Sequence, residues 1–242
     1  MQPTTAEILL RLNRAFYDRF AAEFSGSRTP NQPGWQRLLD YLPARGRLLD
    51  VGCGNGRLVH LLYQQARPVA YVGVDSSPRL LALARANAEA LAIPSQFVEA
   101  DVSAAGWEKK VPAGSYDAVV ALALLHHLPG WQRRRDLLAQ LAGLLAEDGV
   151  LALSTWQFLN EARLRRKVVD WSAAGLAPDQ VEPGDYLLDW QRGGSGLRYC
   201  HLVDEVELAG LAASAGLHVQ AVFCDDGRDK NLNLFAVLRP DR

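Results

Sequence analysis

Apolar residues in the first forty positions recur at the spacing of an amphipathic helix. The pattern predicts one helix over Thr5–Phe24 and a second over Trp35–Leu42, which Pro43 ends. Between them the stretch SGSRTPNQPG contains the glycine and proline residues that interrupt a helix. Residues 1–44 therefore form a predicted N-terminal helical segment.

From Arg47 to Trp156, short apolar runs alternate with longer runs of helical periodicity. The predicted strands are RLLDVG, VAYVGVD, SQFVEAD, YDAVVALALL and VLALSTW. The predicted helices are GRLVHLLYQQA, SPRLLALARANAEAL and QRRRDLLAQLAGLLAEDG. This alternation predicts an α/β fold with a doubly wound parallel sheet and helices on both faces.

The alternation lapses after Trp156. A basic helix, EARLRRKVVDW, is predicted first, followed by a Pro/Gly-rich loop, GLAPDQVEPGDYLLDWQRGGSGL. Irregular segments of this length usually act as lids or binding loops, so residues 157–200 are predicted to be a lid insertion. A helix ending at Gly216 follows, and the strands LHVQAVFCDD and LNLFAVLRP are predicted to pair as an antiparallel hairpin.

Composition limits the possible classes of protein. The 242 residues, 49% hydrophobic and 22% charged, suit one globular domain over 1–242 with a full core. The net charge of −1 argues against a strongly basic nucleic-acid-binding protein, so any such surface would be local. Three cysteines without CxxC spacing favour neither a disulfide framework nor a metal centre, and the N-terminus has no signal-peptide core. We expect a cytoplasmic monomer or homodimer without a membrane span or bound metal.

The candidate chemistry begins at DVGCGNG, where a strand runs into a glycine turn and a helix. Such a turn forms a pocket from backbone N–H groups. Arg57 stands where the dinucleotide fingerprint G-x-G-x-x-G requires glycine, which argues against a nicotinamide dehydrogenase. Asp50, two residues before the first glycine, would repel a pyrophosphate but suits an ammonium group.

Two further carboxylates follow the next strands. Asp75 ends the second strand, where a carboxylate accepts hydrogen bonds from ribose hydroxyls, and Asp101 ends the third, within reach of an adenine amino group. An amino acid, a ribose and an adenine in one row describe S-adenosylmethionine.

The motifs LLDVGCGNG, VGVDSS, EADV and YDAVVALALLHHL resemble those of the class I S-adenosylmethionine-dependent methyltransferases, in the same order and spacing. The resemblance implies a Rossmann-like, seven-stranded sheet, mostly parallel with one reversed strand, and places the N-terminal helices over the cofactor site. It implies these cofactor-binding residues: Asp50, Gly52, Cys53, Gly54, Gly56, Asp75, Ser76, Asp101, Val102 and Ala121. His126 and His127 fall where substrates enter this fold.

The flanking segments resemble the eukaryotic tRNA wobble-uridine carboxymethyl methyltransferases. The resemblance lies in LNRAFYDRF near the start, in DYLLDWQRGGSGLRYCH before an acidic helix, and in the closing strand. Cys200 departs from that family, which has tyrosine at this position. The resemblance implies that the acceptor is the carboxylate of 5-carboxymethyluridine in tRNA, and it leaves open whether an activator protein is needed.

A carboxylate acceptor is ionised at neutral pH and needs no general base. The enzyme must hold and desolvate it, so an anchoring cation is the useful group. We predict Arg198 as that anchor, with Tyr199 and His201 completing the wall, although Arg198 could instead form a structural ion pair. The candidate phosphate contacts are the basic runs Arg133–Arg135 and Arg163–Lys167, although each run could instead be a solvated helix face.

Two alternative functions remain open. A small-molecule O- or N-methyltransferase with the same core would use His126 or His127 as a base. A non-catalytic partner subunit would bind no cofactor.

Overall fold

The computed structural model describes residues 1–26, 32–91 and 93–241, with only the backbone of Phe24. The strands are β1 Gly46–Val51, β2 Val69–Asp75, β3 Ser95–Glu99, β4 Tyr116–Leu122, β5 Leu145–Trp156, β6 Val168–Val169, β7 Asp185–Trp190, β8 Gly196–His201, β9 Leu217–Asp225 and β10 Asn233–Pro240. The helices are α1 Pro3–Arg19, α2 Ala21–Gly26, α3 Pro33–Leu38, α4 Arg57–Gln64, α5 Pro78–Ala90, α6 Trp131–Gly143, α7 Ala162–Arg165 and α8 Glu205–Ser214.

Seven strands form the main sheet in the order β3-β2-β1-β4-β5-β10-β9. The first five are parallel, and β10 runs antiparallel to both of its neighbours. The predicted seven-stranded sheet with one reversed strand is therefore confirmed, as is the terminal hairpin. The strand order reverses between β1 and β4, and such a switch point opens a crevice at the carboxyl ends of the strands.

Apolar side chains cover both faces of this sheet. One layer contains Trp107, Tyr116 and Leu141, and the other contains Trp35, Leu61 and Phe235. Strands β1 and β4 lie between these layers, which explains their nearly continuous apolar sequences. No helix in the described ranges combines the length and apolar character needed to cross a lipid bilayer.

The segment after β5 differs from the prediction. The basic helix is limited to α7, and the following residues 168–169 form β6. The residues expected to form a loop contribute β7 and the start of β8, which join β6 from the predicted helix in an antiparallel sheet of order β6-β7-β8. The turn between β7 and β8 contains Gly193 and Gly194 with φ values of +71° and +138°, which glycine adopts without steric cost.

Three predicted helix boundaries are also wrong. Helix α3 ends at Leu38 rather than at Leu42, because the next residues form hydrogen-bonded turns. The helix expected over Thr5–Phe24 is interrupted at Phe20, so that α1 and α2 are separate. Helix α6 ends at Gly143 because Leu145 already pairs with Tyr116 of β4. The predicted break SGSRTPNQPG falls partly on residues 27–31, which lie outside the described residues.

Candidate active site

A cavity of about 210 Å³ lies at the switch point, above the carboxyl ends of β1, β2 and β4. Helix α1, the turn after β4 and strand β8 supply its other walls. Among the residues predicted for the cofactor, those lining the cavity are Asp50, Gly52, Cys53, Gly54, Asp75, Ser76, Asp101 and Val102. Gly56 and Ala121 lie outside the lining.

The glycine turn brings backbone close to the ends of β1 and β2. Gly54 has φ +55° and donates its backbone N–H to Oδ2 of Asp75 at 2.9 Å. A Cβ at Gly54 would meet nothing within 4 Å, so the turn leaves open space beside it. Gly56 has a different role, because a Cβ there would lie 3.1 Å from the side chain of Ala84 in α5. Gly56 therefore allows two helices to pack closely, which fits its place outside the cavity.

Asp50 is a buried carboxylate at the end of β1. Its Oδ2 accepts a hydrogen bond of 2.6 Å from the Tyr71 hydroxyl. Burial raises the pKa of Asp50 to about 7, although the Tyr71 hydrogen bond opposes that rise. Such a group gains stability from a cation that enters the cavity beside it.

Asp75 is held from both sides by backbone donors. Oδ2 accepts from Gly54 N, and Oδ1 accepts from Ser77 N at 2.8 Å. Burial raises its pKa, and these backbone hydrogen bonds offset part of that rise. The carboxylate keeps acceptor capacity for further donors, because each ionised oxygen accepts more than one hydrogen bond.

Asp101 is committed to protein partners. Its Oδ1 accepts from the Ser103 hydroxyl at 2.6 Å and from Ser103 N at 2.9 Å, and its Oδ2 pairs with Arg14 of α1 at 2.5 Å. Because Arg14 is largely exposed, this ion pair joins α1 to the end of β3 by an interaction of modest strength.

Arg198 is a buried guanidinium in the cavity wall. Its side chain is sandwiched between aromatic rings, with Cζ 4.6 Å from the Trp156 centroid and 5.3 Å from that of Phe16. Its Nε has no hydrogen-bond partner among the described residues. Although burial opposes the charged form, the neighbouring Cys200 and Tyr17 outweigh it and raise the pKa of Arg198. The side chain is therefore a permanent, incompletely satisfied cation.

The two histidines after β4 lie in the same wall. His126 Nδ1 accepts the backbone N–H of Trp156 at 3.3 Å. His127 Nε2 lies 2.7 Å from the Tyr17 hydroxyl, and its Nδ1 lies 3.2 Å from the carbonyl oxygen of Tyr199.

Tyr199 and His201 do not line the cavity. The Tyr199 hydroxyl donates to Oδ1 of Asp185 at 2.7 Å. His201 bonds to the same oxygen through Nδ1 and to Glu207 through Nε2, both at 2.7 Å, and these carboxylates raise its pKa against the effect of burial. Arg134 completes this buried network through Glu207 and Glu182. Tyr199 and His201 therefore stabilise β8 through contacts on the side of the strand that faces away from the cavity.

Asn13 fixes the wall, and the sequence reasoning missed it. Its Oδ1 accepts from Tyr199 N at 2.9 Å, and its Nδ2 donates to the Tyr199 carbonyl at 3.1 Å. The only signal was a polar residue on the apolar face of α1, between Leu9 and Phe16. Ala123 was also missed: it lines the cavity with φ +56°, a strained conformation for alanine.

Two clusters in the described part of the chain bring potential metal ligands within 4.8 Å of one another. They are His126 with His127 and Cys200, and Glu182 with Asp185 and His201. In the structure, these histidines and Asp185 form the hydrogen bonds described above. The expectation that the protein binds no metal stays a prediction.

Sheet topology and the position of the carboxylates define the class: a class I S-adenosylmethionine-dependent methyltransferase. The model of the methyltransferase domain family matches residues 25–222, so the chain belongs to this family. Its cofactor is S-adenosylmethionine, and the site fits it, with buried carboxylates beside open space at Gly54.

Known relatives agree with this assignment. The chain is 32% identical over 231 residues to a protein of Encephalitozoon cuniculi named as a methyltransferase, covering 94% of this chain and 95% of that protein. It is 28% identical over 151 residues to the Mus musculus tRNA (carboxymethyluridine(34)-5-O)-methyltransferase, covering 60% of this chain but 20% of that protein. An S-adenosylmethionine-dependent methyltransferase from Clostridium acetobutylicum shares the fold, with a TM-score of 0.65 at 11% identity, covering 95% and 99% of the two chains.

Proposed function

We propose that this methyltransferase esterifies a carboxylate, namely the carboxymethyl group of 5-carboxymethyluridine at the wobble position of tRNA. The observation that carries the proposal is Arg198, which is buried in the cavity wall and whose Nε has no hydrogen-bond partner in the part of the chain that the structure describes. The mouse relative acts on this class of acceptor according to its name.

The buried Arg198 guanidinium is suited to bind a carboxylate. A buried charge without a counter-ion is unfavourable, and a carboxylate entering the cavity would relieve it. The planar guanidinium suits a carboxylate, because it can donate two parallel hydrogen bonds. Within the described residues, burial lowers the pKa of Arg198 and the neighbours that raise it are Cys200 and Tyr17, neither of which is a carboxylate, so we assign the anionic partner to the substrate.

The residues around the cofactor are assigned separate parts of S-adenosylmethionine. Asp50 holds the ammonium group, the backbone around Gly54 borders the amino-acid end, and Asp75 accepts from the ribose hydroxyls. Asp101 and Val102 border the adenine, whose amino group would share Asp101 with Arg14. Cys53 fills space, because burial raises the pKa of its thiol well above the normal value and keeps it neutral.

S-adenosylmethionine supplies an electrophilic methyl group when bound. The protein's task is then to position an oxygen and exclude water, since a carboxylate is already a nucleophile at neutral pH. Arg198 orients the acceptor, and the rings of Trp156 and Phe16 exclude solvent around it. His126 borders this region as part of the wall, and Tyr199 and His201 hold β8 in place.

Radiolabelled S-adenosylmethionine tests the proposal, with tRNA carrying 5-carboxymethyluridine as the acceptor. A methyl ester is the expected product, so mild base should release the label. Label that survives base would contradict the proposal, because the methyl group would then be on nitrogen, carbon or an ether oxygen. No label, with S-adenosylhomocysteine binding confirmed calorimetrically, would also contradict it.

A small-molecule carboxylic acid is the second candidate acceptor. It is favoured because the basic run Arg133–Arg135, a candidate contact for tRNA phosphates, forms ion pairs within the protein. Arg133 pairs with Glu7, Arg135 pairs with Asp136, and Arg134 is buried in its own network. This run is therefore largely neutralised rather than available for phosphates. The second run also has one paired member, because Arg163 lies 3.6 Å from Glu161, but it has three further exposed cations: Arg165, Arg166 and Lys167. If these cations bind the phosphates of tRNA, the KM for the acceptor should rise with salt concentration. The KM for a small carboxylic acid without phosphates should not rise in this way.

A further inference from the structure

Tyr17 of α1 lies near two groups that could act on the methyl acceptor: Arg198, the proposed anchor, and His127, a potential base. Its hydroxyl is 2.7 Å from Nε2 of His127, and its side chain is one of the neighbours that raise the pKa of Arg198, which lines the same cavity. The ring packs edge-on against His127, with centroids 5.4 Å apart, and lines the cavity. One phenol therefore contacts a potential base and neighbours the proposed anchor.

The direction of each hydrogen bond follows from the chemistry of its partners. Nδ1 of His127 lies 3.2 Å from the Tyr199 carbonyl, which can only accept, and 3.8 Å from Sγ of Cys200, so a proton on Nδ1 supplies the donor for the shorter of these two contacts. In the neutral ring Nε2 is then the acceptor, and it takes the Tyr17 O–H. Arg198 can only donate, so any hydrogen bond between the two side chains is one that Arg198 donates to the Tyr17 oxygen.

His126 has the same kind of restriction. A backbone N–H can only donate, so Nδ1 of His126 accepts from Trp156 and the neutral ring carries its proton on Nε2. In both histidines the nitrogen that could remove a proton is thus engaged by a protein donor. A general base needs that lone pair for the substrate.

We propose that Tyr17 is a positioning residue that restricts this enzyme to acceptors that are already ionised. It holds Arg198 in the cavity wall, where the guanidinium meets a carboxylate, and it occupies the basic nitrogen of His127. The inference rests on the proposed function, which it deepens by stating why acceptors that must lose a proton during methyl transfer are poor substrates.

The first test compares Tyr17→Phe with Tyr63→Phe, a control on an exposed residue of α4. Tyr17→Phe should raise the KM for tRNA carrying 5-carboxymethyluridine by about 10- to 100-fold, the usual effect of losing a hydrogen bond to a charged group. The dissociation constant for S-adenosylhomocysteine should change less than about twofold, and the control should match the wild type. Equal losses in cofactor and acceptor binding would overturn the positioning role, because they would indicate general disruption.

The second test does not depend on the acceptor. In ¹⁵N-histidine spectra at pH 8, His127, assigned from a His127→Gln variant, should carry its proton on Nδ1, and His126 should carry it on Nε2. Tyr17→Phe should change the Nε2 signal of His127 and leave that of His126 in place. A wild-type His127 protonated on Nε2 would overturn the inference. If the wild type methylates no carboxymethyluridine, the proposed function fails, while these spectra still decide how Tyr17 binds His127.

Discussion

Asp50→Asn should stabilise the cofactor-free protein while it abolishes the site for the cofactor's ammonium group. Burial raises the pKa of Asp50 from 3.8 to about 7 in the folded protein. The side chain is 3% exposed, so solvent screening offers little relief when it ionises. Asparagine keeps the shape and an oxygen for the Tyr71 hydroxyl, but it carries no charge to be desolvated.

The sign and size follow from proton linkage. Between about pH 4 and 7 the folded protein keeps a proton on Asp50 that the unfolded chain has released, so this group lowers the free energy of unfolding as pH rises. Linkage with these pKa values gives a penalty that grows from about 2 kcal/mol at pH 5 to about 4 kcal/mol at pH 8. The advantage of Asp50→Asn over the wild type should therefore widen by about 2 to 3 kcal/mol across this range.

Urea unfolding of both proteins at several pH values, without cofactor, measures this difference. S-adenosylhomocysteine should then stabilise the wild type but not Asp50→Asn. For the wild type, affinity should weaken by up to about tenfold per unit as pH falls below 7, because protonated Asp50 holds an ammonium group poorly. An Asp50→Asn advantage that is the same at pH 5 and pH 8 would contradict a raised pKa for Asp50 in the folded protein.

Three further predictions concern the wall of the cavity. Arg198→Lys keeps the charge but loses the paired donors, so kcat/KM for the carboxylate acceptor should fall by about 10- to 100-fold with cofactor affinity near normal; parallel loss of both would indicate a structural residue. Asn13→Ala removes both side-chain hydrogen bonds to β8 and should lower the free energy of unfolding by about 1–3 kcal/mol in urea; an unchanged midpoint would show that this contact is dispensable. His201→Gln should destabilise more at pH 6 than at pH 9, because a raised pKa contributes stability below 6.5 that is lost as pH rises through the folded value; thermal melts with the opposite trend would contradict the raised pKa.

The main sheet could be predicted because its strands carry strong local signals. Strands such as β4, buried on both faces, are apolar along most of their length, and the turns after them contain the glycines and acids that the crevice requires. The reversed strand was accessible too, because a connection of a few residues between β9 and β10 permits only antiparallel pairing.

The second sheet could not be recognised from the same patterns. Strand β6 has two residues, and β7 and β8 alternate irregularly because both sheet faces are partly buried. Without knowledge of this sheet, the sequence led to the prediction that Arg198, Tyr199 and His201 share one wall of the site. Alternate residues of a strand face opposite sides, so Arg198 lies on the cavity side while Tyr199 and His201 lie on the other.

Contacts between distant parts of the chain were the other missing information. Asn13 binds β8 across 186 positions of sequence, and Tyr17 meets His127 across 110. No local pattern in α1 indicates these partners, since helical periodicity reports only which face is buried.

The most direct test of the account is a comparison of two oligonucleotides, one carrying 5-carboxymethyluridine and the other its uncharged amide, 5-carbamoylmethyluridine. Calorimetric affinities in the presence of S-adenosylhomocysteine are measured for the wild type and for Arg198→Gln. The account predicts that the wild type prefers the carboxylate by about tenfold or more and that Arg198→Gln loses this preference. A preference that persists in the variant, or a wild type that binds both ligands equally, would contradict Arg198 as the anchor of the acceptor.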